Sequence, residues 1–237
     1  MSVVIVPLAG PDFYTPEFGV RPLFPMHGST LIDYVLNKRS WMSEVRSGKG
    51  QLIFVLRDVG IYTTQTLEYI NKTFPFASTV VLSDFTHGAS FSALAGLSLT
   101  KEFNAPVIID LADIDYELTW DHGKYFQTYP AVDAVVPYFT SDDKKFSYLK
   151  LAGVHVLEAR EKSVISSNAS CGVYFFRNID AYLRALIFSV QTPEICKYKE
   201  SFFVCPSING LIAGGREVHA INVNNVEPIS AMFHSAR

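Results

Sequence analysis

The sequence predicts an α/β fold of three layers, α/β/α, around a mixed, mainly parallel central sheet with a small β-rich extension. Two patterns carry that prediction. Short β-branched apolar runs alternate with helix-length amphipathic runs through the first 130 residues, and after that point short strands separated by polar turns take over. Size and composition agree. The 237 residues are 49% apolar and only 18% charged, below the ~25% charge usual in globular domains. A chain of this length can bury roughly 70–75% of its unfolded surface in one core, and no linker or repeat divides it, so one domain spanning 1–237 is expected.

Residues 3–8, Val-Val-Ile-Val-Pro-Leu, read as a buried strand that ends at Ala9-Gly10. A long irregular loop with Pro11, Pro16, Gly19 and Pro22 follows. Ser29 or Thr30 can then cap a helix whose first turn holds Asp33, and Leu31, Val35, Met42 and Val45 extend the helical spacing to about Arg46, before Gly48-Lys49-Gly50. Strands are expected at 52–56, 79–82 and 106–111, with helices at 63–71 and 88–103. In the second half, strands are expected at 132–139, 148–151, 155–159, 173–176 and 218–223, and helices at 180–189 and 202–212. In sheets of this kind ligands bind beyond the carboxyl ends of the parallel strands. Here those ends are Gly10, Arg57-Asp58, Ser83-Asp84 and the stretch from Asp110 to Asp113.

Several function classes drop out. A net charge of −3 with no basic stripe argues against nucleic acid as a partner. No uncharged apolar run approaches the ~18–20 residues of a membrane span, and the amino terminus shows no cationic leader. Cys171, Cys196 and Cys205 are an odd set without Cys-x-x-Cys spacing, which reads as reduced thiols in a cytoplasmic protein. His27, His87, His122, His155, His219 and His234 show no zinc-ligand spacing, and none is read as a ligand.

The loop after the first strand offers backbone N–H groups and one cation, Arg21, a combination suited to a polyphosphate. The surrounding motifs occur in a definite order. They run Pro7-Leu8-Ala9-Gly10, Gly19-Val20-Arg21-Pro22-Leu23, Thr86-His87-Gly88-Ala89, Leu111-Ala112-Asp113, Lys145-Phe146-Ser147-Tyr148-Leu149-Lys150, Glu161-Lys162, Ser170-Cys171-Gly172-Val173-Tyr174 and Pro206-Ser207-Ile208-Asn209-Gly210. In that order they resemble the sugar-phosphate nucleotidyltransferases, across most of the chain.

The resemblance implies a GT-A-like, Rossmann-related fold, with residues 1–130 forming a nucleotide-binding half and 131–237 an acceptor-binding half. It implies Mg²⁺-dependent transfer of a nucleoside monophosphate from an NTP to a sugar phosphate or similar small phosphorylated acceptor, for surface polysaccharide precursors. It assigns nucleotide binding to Leu8, Ala9, Gly10, Arg21, His87, Gly88 and Ala89. Acceptor binding falls to Ser147, Tyr148, Lys150, Glu161, Lys162, Asn168 and Gly172, and catalysis to Arg21, Asp113 and Lys162. Asp113 is the expected Mg²⁺ ligand, with Asn225 or Asp115 as the second. A homodimer is compatible with this reading.

Two departures from the family pattern shape the alternatives. Gly10 is followed by Pro11-Asp12-Phe13 where the family has Gly-x-Gly-[Ser/Thr]-Arg, and Arg21 stands at a lysine position. The late metal-binding aspartate has no match, the last strand continuing Asn222-Val223-Asn224-Asn225. One alternative is therefore a relative that binds a nucleotide or nucleotide-sugar without turnover, as a sensor or assembly subunit. The other is a GT-A-type glycosyltransferase, for which Asp113-Ile114-Asp115 has the Asp-x-Asp spacing.

Overall fold

The computed structural model describes residues 1–229; His234 lies outside them. Ten strands form the main sheet: β1 (Val3–Pro7), β2 (Gln51–Arg57), β3 (Ser78–Leu82), β4 (Val107–Asp110), β5 (Val132–Thr140), β6 (Tyr148–Ala152), β7 (His155–Arg160), β8 (Asn168–Ser170), β9 (Val173–Phe176) and β10 (Glu217–Asn222). Their order across the sheet is β8-β6-β7-β10-β5-β9-β4-β1-β2-β3.

The four strands of the first half are parallel, with Val3 opposite both Gln51 and Val107, and Ile53 opposite Ser78. Both faces of β1, β2 and β4 are covered, while β3 forms the partly exposed edge. Val4, Val6, Leu52, Phe54 and Ile108 point into one apolar core, while Val3, Ile5, Ile53, Val55, Val107 and Ile109 point into another. Double burial is why these segments read as continuous apolar runs without alternation. The first core packs α1 (Leu31–Leu36), α2 (Met42–Arg46), α3 (Ile61–Thr73) and α5 (His122–Thr128); the second packs α4 (Ala89–Leu97) and α6 (Ile179–Gln191).

Beyond β4 the sheet is mixed, and antiparallel pairing predominates. Only β5 and β10 run parallel there; β9 is antiparallel to both β4 and β5. The expectation of a mainly parallel sheet therefore holds for the first half alone. The reason is local: β5 changes partner along its length, pairing Ala134 and Val135 with β9 but Tyr138 to Thr140 with β8. The β6–β7 hairpin and β8 then fold back on the carboxyl end of β5 as a small antiparallel unit.

Three expected helices are cut short. The helix expected to reach Arg46 breaks at Asn37, where Lys38 and Arg39 donate to Val35 and Leu36 in tighter turns, because Arg39 and Trp41 are drawn into the interior. The helix expected over 88–103 ends at Leu97, and Phe103 stands exposed. The helix expected over 202–212 is two short turns, Val204–Ser207 and Asn209–Ala213. Asn209 explains that interruption: its side chain exchanges hydrogen bonds with the backbone of Ala159 at 2.8 and 2.9 Å, extending the edge of β7. The ribbon Ile114–Glu117 paired with Asn224–Pro228 was not expected from the sequence.

Candidate active site

A cleft of about 860 Å³ opens beyond the carboxyl ends of β1 and β4. Leu8, Ala9, Gly10, Arg21, Gly88, Ala89 and Asp113 line it from the first half, and Ser147, Glu161, Lys162 and Gly172 from the second. These residues, from seven separate stretches of chain, converge on one surface.

At one end, Arg21 spans two carboxylates, donating one arm of its guanidinium to Asp12 and the other to Asp113. The Arg21 side chain is largely buried, whereas Asp12 and Asp113 keep partial access to solvent. Asp113 owes its position to a second ion pair. Asp110 and Arg39 are 0% and 1% exposed and meet at 2.7 Å, while Arg39 also donates to the carbonyl of Ile114 and Asp110 accepts the Ala112 N–H at 2.9 Å. That clamp holds Ala112 in the left-handed region, φ 52°, and turns the chain so that Asp113 faces the cleft while Asp110 faces inward. Sequence reasoning missed Arg39, whose only signal was a cation among helical apolar positions.

Gly88 is a glycine for two reasons. Its φ of 107° is unfavourable for other residues, and a Cβ there would lie 2.5 Å from the carbonyl oxygen of Phe202. The Phe202 N–H in turn donates to His87 O at 2.7 Å. The close approach that Gly88 permits is therefore to the 201–202 backbone, as well as to the cleft it lines. Gly172, with φ 73°, accepts the Leu111 N–H at 3.0 Å and so ties the β8–β9 connection to the loop bearing Asp113.

At the other end, Ser147 donates to the Glu161 carboxylate across the mouth of the β6–β7 hairpin. Burial raises the Glu161 carboxyl to about 7, with Ser147 and Lys162 opposing that rise. Lys162 sits in a left-handed turn, φ 50°, whose N–H is fixed to Phe146 O, and its ammonium lies 5.1 Å from the Tyr198 ring centre. Lys145 and Lys199 also line this end, and sequence reasoning had not assigned them a role.

Other expected residues lie elsewhere. Tyr148 is buried, its hydroxyl donating to Asp143 O. Lys150, on β6, is exposed and outside the cleft lining, and Asn168 spends its amide on Leu149 O at 3.2 Å. The ring of His87 faces Phe91 and is not part of the lining. Neither proposed partner of Asp113 joins it there: Asp115 is buried against Lys38, and Asn225 is exposed and bonded to Glu117 at 2.7 Å. Strand pairing explains both, since the Ile114–Glu117 ribbon carries Asp115 away from the cleft. An Asp-x-Asp metal site is not assembled.

Among solved structures the chain superimposes on a nucleoside-diphosphate-sugar pyrophosphorylase from Vibrio cholerae RC9 with a TM-score of 0.78 at 20% identity, covering 96% of this chain and 95% of that one. The fold is that of the sugar-nucleotide pyrophosphorylases. This pyrophosphorylase fold recurs in a UDP-glucose pyrophosphorylase complexed with UDP-glucose, with a TM-score of 0.68 at 14% identity over 98% and 95% of the two chains. It recurs again in a Bacillus anthracis protein assigned as a glucose-1-phosphate thymidylyltransferase, with a TM-score of 0.71 at 12% identity over 100% and 96%. No protein-family model and no curated protein sequence matches the chain. Cys171, Cys196 and Cys205 are free and buried, and burial pushes the Cys171 and Cys205 thiols up, which leaves them unreactive. No helix among the described residues is long and apolar enough to cross a membrane.

Proposed function

We propose that this chain transfers a nucleoside monophosphate from an NTP to a small phosphorylated acceptor, a sugar phosphate foremost, with release of pyrophosphate. The observation that carries the reading is the convergence, on one cleft of a pyrophosphorylase fold, of Arg21 and Asp113 with Glu161 and Lys162. An acceptor phosphate oxygen attacks the α-phosphorus, the bond from that phosphorus to the α,β-bridging oxygen breaks, and pyrophosphate carries the electron pair away. Such a displacement needs positioning and charge neutralisation more than a protein nucleophile.

The residues divide that work. Arg21 exchanges its carboxylate partners for the β,γ-phosphates, with a planar fork suited to paired oxygens. Gly88 and Ala89 leave space for the base or ribose at the start of α4. Lys162 holds the acceptor phosphate, and Glu161 accepts a hydrogen bond from an acceptor hydroxyl. Mg²⁺ fits the site through Asp113, since this ion is commonly held by one or two carboxylates plus substrate phosphates and water; when bound it neutralises triphosphate charge. The activated sugar so formed is the donor that polysaccharide synthesis consumes, in the cytoplasm where NTPs are made.

One observation favours a second reading. Neither Asp115 nor Asn225 joins Asp113 in the cleft, which weakens metal-assisted turnover more than nucleotide binding and suits a subunit that binds a nucleotide without turning it over. Pyrophosphate release from a panel of NTPs and sugar phosphates, with and without Mg²⁺, separates the two. Release from at least one pair supports transfer, and nucleotide binding with no release from any pair assigns the binding role.

A further inference from the structure

None of His155, Glu217 and His219 lines the cleft, and His155 is remote from the other two in sequence, yet their ligand atoms all fall within 4.8 Å of each other. The sheet brings them together. His155 on β7 is directly opposite His219 on β10, and Glu217 lies two residues before His219 on the same face of β10. The rings of His155 and His219 meet edge to face at 4.7 Å. His219 is 4% exposed, and its Nε2 makes no hydrogen bond, with Glu217 Oε2 3.5 Å away. Its other nitrogen, Nδ1, is 2.8 Å from the Tyr125 hydroxyl.

An unpartnered buried nitrogen aimed at a histidine and a carboxylate calls for a ligand of its own. A metal takes the imidazole in its neutral form, so binding is accompanied by release of any ring proton on the ligating nitrogen. The Tyr125 hydroxyl can accept the proton of Nδ1, which fixes the tautomer that leaves Nε2 free, the role outer hydrogen bonds play at histidine metal sites. Four-coordinate zinc with bonds of about 2.0–2.2 Å sets its ligand atoms about 3.4 Å apart. The exposed side chains of His155 and Glu217 can close that gap by side-chain rotation.

The geometry points to a divalent zinc site at His155, Glu217 and His219, with the fourth position open to water. Its consequence is mechanical. β7 joins β10 through the single register pair His155 and His219, and the β6–β7 hairpin carries Ser147 and Glu161 at its mouth. A bound ion would staple that hairpin to the sheet. The spacing of the histidines concealed this, because the pairing of β7 with β10, and no local motif, creates it.

Zinc titration of the metal-stripped, tag-free chain tests the inference, followed by calorimetry and by the visible absorption of a Co²⁺ substitute. Wild type is expected to take up Zn²⁺ saturably, to show the intense absorption of a tetrahedral Co²⁺ site, and to gain thermal stability. His155→Ala, at an exposed position, is expected to bind about 100-fold more weakly and to lose the Co²⁺ spectrum, and Tyr125→Phe to bind about 10-fold more weakly. Asp113→Asn is expected to bind Zn²⁺ as wild type does. No saturable uptake by wild type, or uptake unchanged in His155→Ala, overturns the site. Neither result depends on nucleotide turnover.

Discussion

The two ends of the cleft handle charge in opposite ways. At the nucleotide end, beyond the strands of the first half, Arg21 is neutralised by Asp12 and Asp113, themselves partly open to solvent. At the hairpin end of the second half, Lys145, Lys162 and Lys199 line the wall, and the carboxylate among them, Glu161, is held up near neutrality by burial. The first end must exchange ion pairs before it can hold a triphosphate, whereas the second presents Lys162, packed on Tyr198, to an acceptor phosphate, with Lys145 paired to Asp143 at 2.6 Å beside it. The difference teaches where each residue's effect should appear: substitutions at the first end alter the nucleotide and metal requirement, and those at the second alter the acceptor.

The largest effect expected is on the scaffold of the nucleotide end. Arg39→Met leaves Asp110 buried and unpaired, and should cost about 3–5 kcal/mol of stability in denaturant unfolding. A cost under about 1 kcal/mol would show that the clamp does not hold the Asp113 loop. Lys162→Met should lower kcat/KM for the phosphorylated acceptor about 30-fold, roughly 2 kcal/mol, with the nucleotide KM unchanged. A rise in nucleotide KM instead would erase the distinction between the ends.

Asp12→Asn removes one competitor for Arg21 and should tighten NTP binding about 3-fold by calorimetry. Weaker binding would instead move Asp12 to the metal and sharpen the account of the nucleotide end. The smallest effect concerns pH. Because the Glu161 carboxyl is raised to about 7, it ionises only as pH climbs through that value, so acceptor KM should fall across that range. In Glu161→Gln that fall should flatten, leaving only the phosphate's own ionisation near pKa ≈ 6.

Much of this arrangement was legible in the sequence where one residue type at one strand end does the work. Arg21, Asp113, Gly88 and the Glu161-Lys162 pair fall on the cleft because strand termini, turn glycines and motif order are local signals. What failed was long-range. Asn225 and Asp115 seemed near Asp113 in sequence logic, but the ribbon from Ile114 to Glu117 pairs with residues 224–228 and carries both away. Tyr148 and Lys150 share one face of β6, but Tyr148 is buried where it pairs with Ala169 of β8 while Lys150, two residues on, is exposed, a change along the strand that a motif match does not register. Arg39, Lys199 and the His155–His219 pair are set by tertiary contacts, and the only local mark among them is that Arg39 is a cation among helical apolar positions.

The most direct test of the central claim is pyrophosphate release by wild type and Asp113→Asn across a Mg²⁺ titration, with the NTP and sugar phosphate that turn over best. The account predicts release that requires Mg²⁺ and falls about 10²–10³-fold in Asp113→Asn, with the fold intact by circular dichroism. Release without Mg²⁺, or release in Asp113→Asn equal to wild type, would contradict it.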